Sequence, residues 1–187
     1  MFGEPLIGGP LALDLVNTVV GAGDREADLL KNPGDLHAWL TAQRDRIDFP
    51  GGEIDLGAVR ALRAHIADAI QAARVSTPPP PEALRAINAA IRDAPSYQEI
   101  GWNGQAVTST ASWDGDTTAV LLAQLAGEAA ALLSGPSIGL VRRCQASGCR
   151  MLFLPANPRR RWCSPAICGN RARAARYYQR RKDAPQG

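Results

Sequence analysis

The sequence predicts a mainly α protein: a multihelical N-terminal body with one small β-hairpin, then a C-terminal module of treble-clef-like plan, with a knuckle, a hairpin and a helix. Three observations carry this. Apolar residues recur at helical spacing through most of the first 140 positions. One stretch near residue 100 switches to period two. All 4 cysteines fall in the last quarter of the 187 residues. The net charge of +3 hides a split. Residues 141–187 hold twelve of the 21 basic groups and a single acid, Asp183, while residues 1–140 hold the other seventeen acids. Charge and cysteine clustering together place a boundary at the Gly/Pro-rich link 135–139, giving a body over 1–138 and a module over 139–187.

Along the body, residues 1–10 carry three glycines and two prolines and read as extended or turn-like. A short buried helix starts near Pro10, with Leu11, Leu15 and Thr18 on one face. Asp14 and Asn17 lie on the remaining face. Two readings stay open for them: bonds to nearby loop backbone that fix the chain terminus, or the lining of a small-ligand pocket. After a loop, a helix is expected beyond a cap near Asn32–Gly34, with Leu36, Trp39 and Leu40 inward. Residues 54–75 repeat Leu56, Val59, Leu62, Ile66, Ala69 and Ile70 at a 3.6-residue period, with Arg60, Arg63 and Arg74 largely outside the stripe. The prolines at 78–81 stop that helix, and Pro81 opens the next, with Leu84, Ile87 and Ile91 on its core face.

The period-two stretch then runs from Tyr97 to Trp113, with Asn103–Gly104 as a type I′ turn candidate. Trp102 and Trp113 near this hairpin either line a ligand pocket or cover a thin core. A long helix from Asp116 or Thr117 follows, with Leu121, Leu122, Leu125, Ala129, Leu132 and Leu133 on a broad apolar face, and ends at Gly135–Pro136. Phosphate-loop, dinucleotide, HExxH and GxSxG signatures are missing, and His37 and His65 have no partner at metal-ligand spacing, so no enzyme is expected. Neither a signal peptide nor a membrane span is expected, and a cytoplasmic setting follows as the default.

The module carries Cys144-x4-Cys149-x13-Cys163-x4-Cys168. Two closely spaced pairs suit a structural Zn²⁺ bound by four thiolates. Disulfides suit a reducing compartment less well, and iron–sulfur ligation is the remaining use of such a set. Gly148 can open the tight turn before Cys149. Met151–Leu154 are expected to form a strand, PANP the bend, Arg161–Trp162 the return, and Ser164–Pro165 the start of a final helix reaching Lys182. With zinc and four thiolates contributing −2, the module retains a charge near +9. Arginine outnumbers lysine 11 to 1, which favours forked contacts to phosphate or guanine. Arg159, Arg160 and Arg161 form a basic rim, and Arg173, Arg176, Arg180, Arg181 and Lys182 line the helix as candidate nucleic-acid contacts. The competing destination for this charge is the protein's own acidic body or a partner protein.

Trp162-Cys163-Ser164, Cys168-Gly169-Asn170-Arg171, Tyr178 and Arg180–Arg181 resemble the CGNR zinc-finger family, named for the stretch that stands here at 168–171. The match covers about 141–182. The body, through Leu13-Asp14-Leu15-Val16-Asn17-Thr18, resembles the ABATE domain that commonly precedes that finger. The resemblance implies a bacterial transcription regulator whose finger binds duplex DNA and whose first domain senses a signal or small-molecule effector. Arg171 is then expected to brace the finger and Asn170 to cap backbone near the zinc loops. A homodimer would help a single finger read DNA. The alternatives are a protein-interaction adaptor, or a small-molecule-binding protein without DNA contact.

Overall fold

The computed structural model describes residues 9–182 except 48 and 50, with the side chains of Arg181 and Lys182 also outside the description. The extended reading of residues 1–8 therefore lies outside the described residues. The elements run in chain order as α1 (Leu11–Val16), β1 (Val19–Val20), β2 (Ala27–Asp28), α2 (Pro33–Ala42), α3 (Leu56–Ala73), α4 (Pro81–Asp93), β3 (Ser96–Trp102), β4 (Val107–Trp113), α5 (Thr117–Ser134), β5 (Arg142–Arg143), β6 (Leu152–Phe153) and α6 (Asn170–Lys182). The three small sheets are two-stranded and antiparallel: β1 with β2, β3 with β4, β5 with β6.

Helices α3, α4 and α5 pack pairwise, and α1 inserts between α3 and α5 with all six of its residues buried. Local chemistry sets their ends. Asn32 and Asp35 form a reciprocal capping box at α2, and Asp55 and Asp116 accept from the amides of Ala58 and Ala119 at the starts of α3 and α5. Past the end of α3, Ser76 adopts φ 57°, Ser76 N–H donates to Ala73 O, and Thr77 N–H donates to Ala72 O. That closure satisfies end carbonyls before the proline run forbids further helix. α5 is the one described helix long and apolar enough to cross a bilayer by length and composition. Here its apolar residues Leu121, Leu125, Ala126, Ala129 and Leu132 are buried in the helical body.

Three expectations change. Leu84 is 39% exposed, and Ala83, Ile87 and Ala90 form the buried face of α4 instead. The hairpin turn centres on Gly104–Gln105, because Asn103 N–H donates to Ala106 O. Gly104 has φ 96° and Gln105 is not at positive φ, which is the II′ pattern rather than I′. Asn103 Oδ1 accepts from both Gln105 and Ala106 amides and so closes the turn locally.

The third change concerns Arg63, which is buried rather than outside the core. Its guanidinium forks onto Asp28 (2.8 and 2.5 Å) and also donates to Thr18 Oγ1 at 2.8 Å. This pair ties α3 to the end of β2. Burial pushes the Asp28 carboxyl up, but hydrogen bonds from Arg63 and Leu30 N–H and the charges of Arg63 and Arg60 outweigh it, holding Asp28 below its ordinary 3.8. A carboxyl lowered by folding stabilises the fold above its unfolded pKa and loses that contribution as pH falls through the folded value. Melting temperature followed from pH 7 to about 3 should therefore drop more steeply below pH 4 in the native protein than in Asp28→Asn, which starts lower.

Candidate metal centre and nucleic-acid interface

The knuckle forms because Gly148, at φ 69°, turns the chain so that Cys149 N–H can donate to Ala146 O. Cys144 N–H donates to Met151 O, which folds the strand after the knuckle back onto the strand before it. The expected pairing of Met151–Leu154 with Arg161–Trp162 is not what forms. β6 pairs with β5, with Arg142 opposite Phe153 and Arg143 opposite Leu152. The Arg161 segment contributes one carbonyl, which accepts from Gln145 N–H. The physical reason is the knuckle itself: it returns residues 151–153 beside 142–144 before the PANP bend is reached. Ser164 Oγ then accepts from Ile167 N–H and starts a π-helical turn, Pro165–Gly169, that carries Cys168 into α6.

All four sulfurs lie within 4.8 Å of one another. Cys163 Sγ stands 3.8 Å from Cys149 Sγ and 3.6 Å from Cys168 Sγ, and Cys163 N–H points at Cys144 Sγ from 3.4 Å. Four thiolates held tetrahedrally at about 2.3 Å from Zn²⁺ would be separated by about 3.8 Å, so the cluster fits the ion. Its electrostatics ask for one. The Cys163 thiol, donating to Cys149, holds Cys149 down at about 5, whereas Cys163 itself is pushed up by that bond and by burial. Burial and neighbouring charge push Cys168 up to about 11. Crowded thiols cannot all ionise without a cation among them; Zn²⁺ removes the conflict. With all four positions taken by sulfur, the ion has a structural role.

The finger is fastened to the body by a buried amide clamp and by apolar packing around it. Asn17 Nδ2 donates to Leu152 O at 2.8 Å, and Leu152 N–H donates to Asn17 Oδ1 at 2.9 Å. The amide thus pairs with β6 as a neighbouring strand residue would. Leu152 and Val141 sit in the body's own core, Val20 and Leu29 pack on the cysteine cluster, and Arg150 bonds Glu26 at the surface. Asn17→Ala would strand two buried backbone groups and should cost about 2–4 kcal/mol in chemical denaturation with zinc content unchanged.

The predicted ligand-pocket residues do not share one cavity. Asp14 pairs with Arg46 at 2.6 Å and accepts from Gly9 N–H at 3.3 Å, Asn17 is spent on Leu152, and Trp102 is 66% exposed at the hairpin tip. Trp113 lines a cavity of about 790 Å³ together with Leu11 and Arg46. The sequence signal for Asn17 was present: an amide directly after a short, mostly apolar buried helix must find partners.

The basic residues separate into two groups. Arg160 donates to the carbonyls of Trp162 and Cys163 and lies over the Phe153 ring, and Arg161 bonds Gln145 at 2.6 Å beside Trp162. Both brace the zinc loops. Arg159 is exposed. On α6, Arg173 bonds Asn170, whose side chain therefore holds an arginine rather than capping the zinc loops, and Arg176 donates to Ala172 O within its own helix. Arg173, Arg176 and Arg180 are exposed, and among the described residues none forms an ion pair with an acid. At 100° per residue these three share one side, within about 60°, and Arg171 faces the other way. Arg171 is exposed and lines a cleft of about 520 Å³ with Val20, Gly21 and Arg25 of the body. Arg181 and Lys182 have side chains outside the described residues.

These features define a helical body with a structural four-cysteine zinc finger docked on it. Residues 9–136 match the family model ABATE, described as a putative stress-induced transcription regulator, and residues 141–181 match the CGNR zinc finger. The chain belongs to the ABATE family and carries a CGNR zinc finger at its C-terminal end. No curated protein is similar enough to count as a match.

Proposed function

We propose that this protein is a DNA-binding transcription regulator that presents α6 to duplex DNA. The observation that carries the reading is the state of that helix. Its 13 residues include six bases and no acid, and it packs closely on no element besides its own π-helical turn. Like charges so concentrated repel one another and are relieved beside an anionic surface, and a phosphate backbone supplies one at regular spacing. Zinc held by Cys168 anchors the π-helical turn that leads into it, while the Asn17–Leu152 clamp holds the finger on the body. The body takes the part of sensing a signal or small molecule. The protein acts by binding, with no catalytic step.

The test is a fluorescence-anisotropy titration of zinc-loaded protein against mixed-sequence duplex at about 50 to 300 mM salt. Log affinity should fall linearly with log salt, at about 0.9 per phosphate contacted. Absence of binding at the lowest salt would overturn the reading and favour an adaptor that grips an acidic protein.

A further inference from the structure

The β3–β4 hairpin packs closely on no other element, and every residue of β3 is exposed. An isolated two-stranded hairpin is marginal in water, so one that projects this far needs a surface to rest on. Its two faces differ. The register pairs Trp102 with Val107, Ile100 with Ser109, Gln98 with Ala111 and Ser96 with Trp113 on one face. Tyr97, Glu99, Thr108, Thr110 and Ser112 lie on the other, which is polar but for the exposed Tyr97 near the foot. At the tip of the first face, Ile100, Trp102 and Val107 are 67%, 66% and 69% exposed.

The same face continues at its foot into the 790 Å³ cavity, where Ser96 and Trp113 meet Leu11, Ile91 and Ala123. The tip cannot fill that cavity. Trp102 is six residues along the strand from Ser96, about 20 Å at the usual rise. Each chain therefore holds out an apolar tip and keeps a hollow, walled by apolar side chains with Arg46, Arg92 and Glu128 among them, that its own tip cannot reach. Two copies related by a twofold axis satisfy both, since a self-complementary pairing repeats every contact twice.

We propose that the β3–β4 hairpin is a dimerisation arm whose tip, centred on Trp102, docks in the cavity between α4 and α5 of a second copy of this chain. Three such side chains remove on the order of 400 Å² from water per copy. With the cavity walls added, the total for both copies is about 1,100 Å², just above the floor for a specific interface and in keeping with a dimer of moderate affinity. The inference stands apart from DNA binding and would survive its failure.

The test is sedimentation velocity on the full, zinc-loaded chain from about 1 to 100 µM. The native protein should be dimeric in the upper part of that range. Trp102→Glu should be monomeric throughout, with unchanged circular dichroism and zinc content. Gly127→Gln supplies the cavity-side variant: Gly127 lines the cavity and a Cβ there meets open space, so the fold is undisturbed while the hollow is filled. It should also be monomeric. A mixture of the two variants should regain a weaker dimer, because one intact tip still meets one intact cavity. A monomeric native protein at 100 µM, a dimer that tolerates Trp102→Glu, or a dimer broken by Trp102→Glu but not by Gly127→Gln would each overturn the proposal. The last of these results would mean that two arms pair with each other instead.

Discussion

Replacing Cys163 with serine should release the zinc and unravel the finger. Cys163 is the hub of the cluster: its sulfur contacts those of Cys149 and Cys168, and its amide points at Cys144. In small zinc modules the metal contributes about 10–16 kcal/mol at neutral pH, more than a core of this size supplies. Metal analysis should fall from about one zinc per chain to nearly none, and amide exchange over 144–182 should become fast. The body should persist as a folded helical unit, since α1, α3, α4 and α5 bury their stripes against one another. It will not be untouched. Leu152 leaves the core and Asn17 loses both partners, together worth about 3 kcal/mol, or a fall in Tm on the order of 10 °C. A single cooperative loss of all helical signal would show that residues 1–138 cannot stand as a domain.

Replacing Arg173, Arg176 and Arg180 together with alanine should abolish most of the affinity for duplex DNA. The three share one exposed side of α6 and form no ion pair with an acid among the described residues, so their removal leaves the finger's fold and zinc intact. Three lost phosphate contacts should lower the salt slope by about 2.7 and weaken binding on the order of a hundredfold near 100 mM salt. Arg160→Ala is the contrasting variant. Its guanidinium is held by the Trp162 and Cys163 carbonyls, so its loss should be read in finger stability and zinc retention before DNA affinity. Equal DNA binding by the triple variant would remove α6 as the contact surface.

The parts of the fold that were readable in advance are those with local causes. The helices follow from apolar period and end signals within a few residues of each boundary: the cap near Asn32–Gly34, Asp116, and the prolines at 78–81. The four-cysteine cluster was readable for a related reason, because few arrangements other than a shared metal satisfy two close thiol pairs. The misreadings share a cause too. Arg63 looked solvent-facing on a helical wheel, yet Asp28, 35 residues earlier in sequence, makes its burial favourable. Asn17 read either as a bond to nearby loop backbone or as pocket lining, yet the backbone it bonds belongs to a strand 135 residues away. The finger strands were paired with the wrong neighbour because both choices satisfy the same period.

The sequence by itself determined the helical body, the structural zinc site and the concentration of arginine at one end, since period, spacing and charge are properties of the chain before it folds. Only the tertiary structure decided which arginines are spent on carbonyls and which stay open. It alone showed that Asn17 clamps the finger to the body and that the hairpin tip stands away from the cavity at its foot. Those outcomes depend on which distant backbone groups meet. A buried polar group must find a partner, but nothing in its neighbouring residues says where that partner lies.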